Sequence, residues 1–230
     1  MWAIVVAGGS GRRFGGRKQF LPLAGHPVAS WSVRAANSVA DGVVLVVPAT
    51  CAADADEDDT YGSAPAPGSS GEDALGARFV VSGGATRADS VRAGLAAVPS
   101  DAVVIVVHDA ARPLASPELF AAVVDAVREG EVDGAIPVLP VTDTLKRVLN
   151  HRVVGTVDRD GLLAVQTPQA FAAGALRAAH AGGGDATDDA GLLEVAGLPV
   201  AAVEGDFRNI KLTRPEDLAV AEALLAGAGS

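Results

Sequence analysis

Trp2-Ala-Ile-Val-Val-Ala-Gly-Gly-Ser-Gly-Arg-Arg-Phe-Gly-Gly-Arg-Lys18 decides the reading of this chain, because a short apolar strand runs straight into a glycine-rich turn that carries Arg12, Arg13, Arg17 and Lys18. Glycines let a backbone approach an anion closely and turn its N–H groups inward, while the cations add fixed positive charge. The stretch therefore predicts an anion cradle at the end of a first strand. It is not the P-loop, since Gly16 is followed by Arg17-Lys18-Gln19 rather than Lys and a hydroxyl residue. Nor is it the dinucleotide fingerprint, because Phe14 stands where that motif needs its third small residue.

Working outward, 230 residues with 49% hydrophobic content fill the core of one α/β domain. No apolar run reaches the roughly 18 residues of a membrane helix, and the opening strand lacks a basic lead and a cleavage site. The expectation is a cytoplasmic protein with no membrane partner. A lone Cys51 excludes an internal disulfide and a cysteine-rich metal site. The net charge of -10 is uneven: residues 51–77 hold seven acids and no Lys or Arg, and without them 18 cations face 21 acids. Nucleic acid is a poor partner for such a body, whereas small phosphorylated ligands held by local cation clusters fit it.

Residues 27–39 read as a helix with Pro27 in its first turn, and Val43–Val47 as a strand buried on both faces. Residues 48–77 are rich in Ala, Asp, Gly, Pro and Ser without hydrophobic period, which predicts a mobile acidic insertion at about 51–77. Arg78–Ser82 resumes the sheet, and Gly83-Gly-Ala-Thr-Arg-Ala-Asp-Ser90 opens a helix in which Asp89 or Ser90 caps or contacts a ligand. Asp101–Val107 is the central strand and ends in His108-Asp-Ala-Ala-Arg-Pro113. Ligands of open parallel sheets sit beyond such carboxyl ends, so Asp109 and Arg112 stand where chemistry would be.

Ser116-Pro-Glu opens a helix to about Glu129, and Gly134–Val138 returns to strand. Residues 141–157 alternate around Asn150-His151 and predict a projecting hairpin, whose apolar face a second copy of the protein would cover. Leu162–Phe171 supplies a strand end and a turn before a helix to about Ala181, and Thr187 is a cap for the helix through Val195. Pro199–Val203 and Asn209–Leu212 read as short strands, and Thr213-Arg-Pro-Glu216 has capping-box spacing for a last helix. The repeated strand–helix alternation gives a doubly wound, mostly parallel sheet in a single domain over residues 1–230.

The charged residues at strand ends are Arg12, Arg13, Lys18, Asp109, Arg112, Arg159 and Lys211, with Thr144, Thr167 and Thr187 in nearby turns. No His pairs with a Ser or Cys nucleophile, and zinc-type ligand spacings are absent. Nucleotidyl transfer demands this kind of inventory: cations between two phosphates, and a carboxylate for a hard divalent ion. Asp109 is the Mg2+ ligand by that reasoning, or else a helix cap or a partner for Arg112.

Taken together, Ala7-Gly-Gly-Ser-Gly-Arg-Arg with Lys18-Gln-Phe-Leu, Gly83-Gly with Arg-Ala-Asp-Ser-Val91, His108-Asp-Ala-Ala-Arg-Pro113, Asp143-Thr-Leu-Lys-Arg147, Thr156-Val-Asp-Arg159, Gln166-Thr-Pro-Gln169 and Asn209–Leu218 resemble the 2-C-methyl-D-erythritol 4-phosphate cytidylyltransferase family over nearly the whole chain. The resemblance implies a Rossmann-like nucleotidyltransferase fold with a projecting β-hairpin arm at about 139–160, exchanged in a homodimer. It implies that CTP and the alcohol phosphate react to a cytidine diphospho alcohol and pyrophosphate, with Mg2+ on Asp109. By the same resemblance Ala7, Gly8 and Gly9 approach CTP by backbone, and Gly84, Ala85 and Ser90 border the cytosine. Arg13 and Lys18 stabilise the α-phosphate, and Lys211 and Arg159 align the attacking phosphate. Arg112, Thr144, Thr167 and Thr187 hold the second substrate, with Thr144 and Arg159 acting across the subunit boundary.

This sequence departs from the family at Ala85, where an acidic or polar residue is usual, in the short stretch from Arg13 to Lys18 with Arg17 before the lysine, and in the acidic insertion. Arg17 thus competes with Lys18 for the α-phosphate. Rival readings are a cytidylyltransferase for a pentitol phosphate such as ribitol 5-phosphate, and a nucleotide-binding module without catalysis.

Overall fold

The computed structural model describes residues 1–9, 14, 17–49, 64–183 and 186–227. Arg12, Arg13, Cys51 and the acids at 54–59 lie outside the described residues. In chain order the elements are β1 (Trp2–Val6), β2 (Pro22–Leu23), β3 (His26–Pro27), α1 (Val28–Asn37), β4 (Gly42–Val47), β5 (Phe79–Ser82), α2 (Arg87–Ala97), β6 (Val104–Asp109) and α3 (Pro117–Glu129). There follow β7 (Gly134–Pro140), β8 (Leu145–Leu149), β9 (Arg152–Val157), β10 (Leu163–Val165), β11 (Gln169–Ala172), α4 (Ala173–Ala181), α5 (Asp189–Val195), β12 (Val200–Glu204) and α6 (Glu216–Ala226).

Period-two alternation explains why β1, β4 and β6 read as unbroken apolar runs: each strand buries both faces. Ala3, Val5, Val43, Leu45, Val104 and Val106 meet α1 and α3 through Val33 and Phe120. Trp2, Ile4, Val44, Val46, Ile105 and Val107 meet α2, α4 and α5 through Leu95, Leu176 and Leu193. The helices thus cover both faces of a sheet ordered β10-β7-β11-β6-β1-β4-β5, with β12 beside β7. Pairing is parallel for β1–β4, β1–β6, β4–β5 and β7–β12, and antiparallel where β10 and β11 join β7 and β6. The mostly parallel, doubly wound α/β sheet is therefore as expected, with an antiparallel insert from residues 163–172.

Among the described residues β8 and β9 pair only with each other, as a hairpin whose turn residues Asn150 and His151 both take positive φ, 48° and 62°. That left-handed pair is the turn whose twist suits a two-residue hairpin, and Asn tolerates it. Val148, Leu149, Val153 and Val154 remain more than half exposed on the arm.

Four local expectations are corrected. Asn209–Leu212 is not a strand: it is an irregular segment, tied by the Leu212 amide to the Ala111 carbonyl at 2.8 Å, with Leu212 buried beside Leu23, Val28 and Ala221. Thr213 and Glu216 form no capping box; the Asp217 carboxylate instead accepts from the amides of Thr213 and Arg214 at 2.6 and 2.8 Å. Thr187 does not cap α5, because Asp188 accepts the Gly191 amide at 3.1 Å. In α2 the cap is Thr86 in a full capping box with Asp89, rather than Asp89 or Ser90 alone. Of the segment read as a mobile insertion, residues 64–77 are held down: Ala74 and Ala77 sit in the core, and the Gly68 amide bonds to the Val80 carbonyl at 2.9 Å.

Candidate active site

The carboxyl ends of β1 and β6, the start of α2 and the segment 209–213 enclose a cleft of about 590 Å3. Its wall includes Ala7, Gly8, Gly9, Lys18, Gln19, Gly84, Ala85, Arg87, Ser90, Asp109 and Lys211. These residues come from distant parts of the chain and meet only because the parallel strands end on one edge.

The glycine turn is shaped from both sides. Gln19, buried at 3% exposure, donates its side-chain amide to the carbonyls of Ala7 at 2.7 Å and Gly9 at 3.1 Å. On the other side a Cβ on Gly8 would lie 3.1 Å from the Ser90 hydroxyl, and one on Gly84 only 2.2 Å from Asp89 Cβ. Glycine is required at Gly84 for that close approach. The Ser90 hydroxyl donates to the Thr86 carbonyl at 3.0 Å and accepts the Gly84 amide at 3.3 Å, so it fixes the turn that borders the cleft.

Asp109 stands opposite, 9% exposed. Its Oδ2 accepts from Lys211 Nζ at 2.6 Å and its Oδ1 from Arg87 Nε at 3.2 Å. Burial opposes the charge on Asp109, but Arg87 and Lys211 outweigh it and hold the carboxyl well below the usual carboxylate range. Beneath it runs a buried relay. The Asp109 amide donates to the Thr167 hydroxyl at 3.0 Å, that hydroxyl donates to His108 Nδ1 at 3.1 Å, and His108 Nε2–H donates to the Arg112 carbonyl at 3.1 Å. Burial pushes His108 down to about 4, so its ring is neutral at pH 7 and is no general acid for the cleft.

Lys18 Nζ reaches the Leu212 carbonyl and lies 5.8 Å over the Phe14 ring, so the glycine turn and the Lys211 segment are tied together. Lys18 is among the residues that line the cleft. Arg112 donates to the Asn209 carbonyl at 2.8 Å and the Val165 carbonyl at 3.4 Å and does not line the cleft. Arg159, on the exposed base of the arm, donates to the Thr142 carbonyl. Neither it, Thr144, Thr167 nor Thr187 lines the cleft of this chain, and Arg13 lies outside the described residues.

Two residues escaped the sequence reading. Gln19 shows its part only once Ala7 and Gly9 fold back over it. Arg87 bridges Asp109 and Asp189, the latter by Nη1 to Oδ2 at 2.7 Å. A signal for it was present: a cation at the first residue of a helix opposes the helix dipole and needs an anionic partner.

The family model for 2-C-methyl-D-erythritol 4-phosphate cytidylyltransferase, IspD, matches residues 1–227. The enzyme of that name from Nocardia farcinica is 46% identical over 228 residues, which are 97% of this chain and 93% of that one. A bifunctional IspD/IspF enzyme from Nitratidesulfovibrio vulgaris is 44% identical over 234 residues, 96% of this chain but 57% of that one, so the chain spans little more than half of that relative. The crystal structure of 2-C-methyl-D-erythritol 4-phosphate cytidylyltransferase from Thermus thermophilus superposes with a TM-score of 0.76 at 35% identity, covering 98% of each chain. With agreement running from the glycine turn to α6, this chain belongs to the 2-C-methyl-D-erythritol 4-phosphate cytidylyltransferase family.

Proposed function

We propose that the protein transfers the cytidylyl group of CTP to 2-C-methyl-D-erythritol 4-phosphate, releasing pyrophosphate and forming 4-diphosphocytidyl-2-C-methyl-D-erythritol on the non-mevalonate route to isoprenoid precursors. The observation that carries this is the cleft itself, with a glycine turn and Lys18 on one wall and Asp109 and Lys211 on the other. The attacking group is a phosphate oxygen, already anionic at neutral pH, so the protein need not supply a base.

The backbone from Ala7 to Gly9 approaches the triphosphate, with the amides of Gly8 and Gly9 as its cradle because that of Ala7 is bonded to the Val46 carbonyl at 2.8 Å, and the Gly84–Ala85 edge borders the cytosine. With Ala85 the edge reads the base by backbone, since its side chain carries no hydrogen-bonding group. Lys18, joined by Arg13, stabilises charge on the α-phosphate. Lys211 and Arg159 orient the attacking phosphate, Thr144 and Thr187 hold the acceptor, and Arg112 and Thr167 support its floor through the bonds described above.

The donors present suit Mg2+. Asp109 offers hard carboxylate oxygens and would hold the ion together with the triphosphate. Bound with CTP, Mg2+ neutralises charge between the phosphates.

A homodimer with exchanged arms covers the apolar hairpin face and delivers Thr144 and Arg159 to the cleft of the other copy. Among the described residues no helix is long and apolar enough to cross a membrane. The deciding experiment is pyrophosphate release with CTP and either methylerythritol phosphate or ribitol 5-phosphate. Turnover with the first is expected; silence with it, or preference for the second, overturns the assignment.

A further inference from the structure

We propose that Asp189 is a positioning residue for the metal-binding carboxylate: acting through Arg87, it fixes the orientation in which Asp109 presents its carboxylate to the cation. The inference rests on the reading of Asp109 as the Mg2+ ligand. Arg87 is the first residue of α2 and Asp189 the first of α5, so two helix starts converge beneath the cleft.

Asp189 is 1% exposed, and both its oxygens are engaged, Oδ2 by Arg87 Nη1 at 2.7 Å and Oδ1 by His180 Nε2 at 2.9 Å. Burying an ion pair between helices is a poor way to gain stability, because apolar side chains of the same volume serve as well or better. What the pair does supply is geometry. The guanidinium is a rigid plane, so pinning Nη1 on Asp189 aims Nε at Asp109 Oδ1, 3.2 Å away. With Oδ1 held by Arg87 and Oδ2 by Lys211 at 2.6 Å, the Asp109 carboxylate has one orientation in the cleft, and the Asp189–Arg87 pair sets its Oδ1 side. Lysine in place of Arg87 could reach one carboxylate but not span both.

The test uses Mn2+ as the probe, titrated by electron paramagnetic resonance into the enzyme with CTP and no acceptor, so that nothing turns over. Asp189→Asn and Arg87→Met are expected to weaken Mn2+ binding about 10-fold or more, the usual scale for a partner that orients a ligand, with Arg87→Lys between them and the parent. Metal-free CTP binding should be unchanged in Asp189→Asn, whereas a collapsed cleft would lower both. Arg177, which donates to the carbonyls of Leu95, Val98 and Pro99 away from the cleft, provides the structural comparison: Arg177→Met should lower the thermal midpoint and leave Mn2+ binding intact. If Asp189→Asn does not fold, the two Arg87 variants decide. Mn2+ binding at parental strength in Asp189→Asn or Arg87→Met, while Asp109→Asn loses it, overturns the positioning role alone. Parental Mn2+ binding in Asp109→Asn overturns the metal-ligand reading and this inference with it.

Discussion

Gln19 donates its side-chain amide to the carbonyl of Ala7 over 2.7 Å, and this bond ties back an oxygen that would otherwise face an incoming phosphate. The same nitrogen reaches Gly9. Leaving buried carbonyls unpaired costs about 1–3 kcal/mol, which is roughly 5- to 150-fold in affinity. Gln19→Leu should therefore raise KM for CTP by about tenfold with the fold retained. Gln19→Glu should do worse, because its carboxylate would face the same carbonyls. Steady-state kinetics with a thermal melt of each variant checks this.

Lys211 shares Asp109 with Arg87 in this structure, and we expect it to orient the attacking phosphate. Lys211→Ala should lower kcat about 100- to 1,000-fold, the scale seen when one charge-stabilising donor is removed, while CTP still binds. Pyrophosphate release at the parental rate would remove Lys211 from the mechanism.

Stability should fall in mild acid because of His108. Its folded value of about 4 lies below the ordinary 6.5, so between those limits the unfolded chain binds the extra proton. The contribution is present above pH 6.5 and is lost as pH falls toward 4, by about 3 kcal/mol in all. The Asp109 carboxylate, also depressed, contributes above its ordinary value of 3.8 and loses that contribution only at lower pH, outside this window. Urea unfolding at pH 7, 5.5 and 4.5 should show the slope, and His108→Gln should flatten it.

The arm should carry the dimer. Leu149 and Val153 are 63% and 65% exposed, so Leu149→Lys with Val153→Glu should give a monomer by light scattering without changing helix content. Activity should fall with the dimer, since Arg159 would no longer reach a neighbouring cleft.

Gly94 is a packing test away from the chemistry. A Cβ there would lie 2.6 Å from Ile4 Cγ2 in the layer between α2 and β1. Gly94→Ala should destabilise the fold by about 1–3 kcal/mol, the range for overpacking a core, measured by urea unfolding.

The central strands were legible because burial on both faces leaves a continuous apolar run, as in Val43–Val47 and Val104–Val107. The cap of α3 was legible too, since Ser116 accepts the Leu119 amide. Asn209–Leu212 misled because Ile210 and Leu212 alternate like a strand, while the bonds of that segment go to side chains and to Ala111 rather than to a ladder. In the site, glycines and strand-end charges announced themselves locally. Arg87 gave only the hint of a cation at a helix start, because its partners lie 22 and 102 residues away and only the fold brings them together. The Thr167 hydroxyl looked available in sequence, and its engagement with the Asp109 amide and His108 is a tertiary fact.

The segment that carries Lys211 is gripped largely by its own carbonyl oxygens: Arg112 takes that of Asn209, and Gln166 takes those of Asp206 and Asn209. Every residue type brings the same carbonyl. Mutation can therefore rewrite the exposed side chain at Phe207 without re-aiming the lysine, whereas the gripping residues Arg112 and Gln166 have no such latitude. The tolerance of this loop to drift and the intolerance of its distant clamps are two sides of one arrangement.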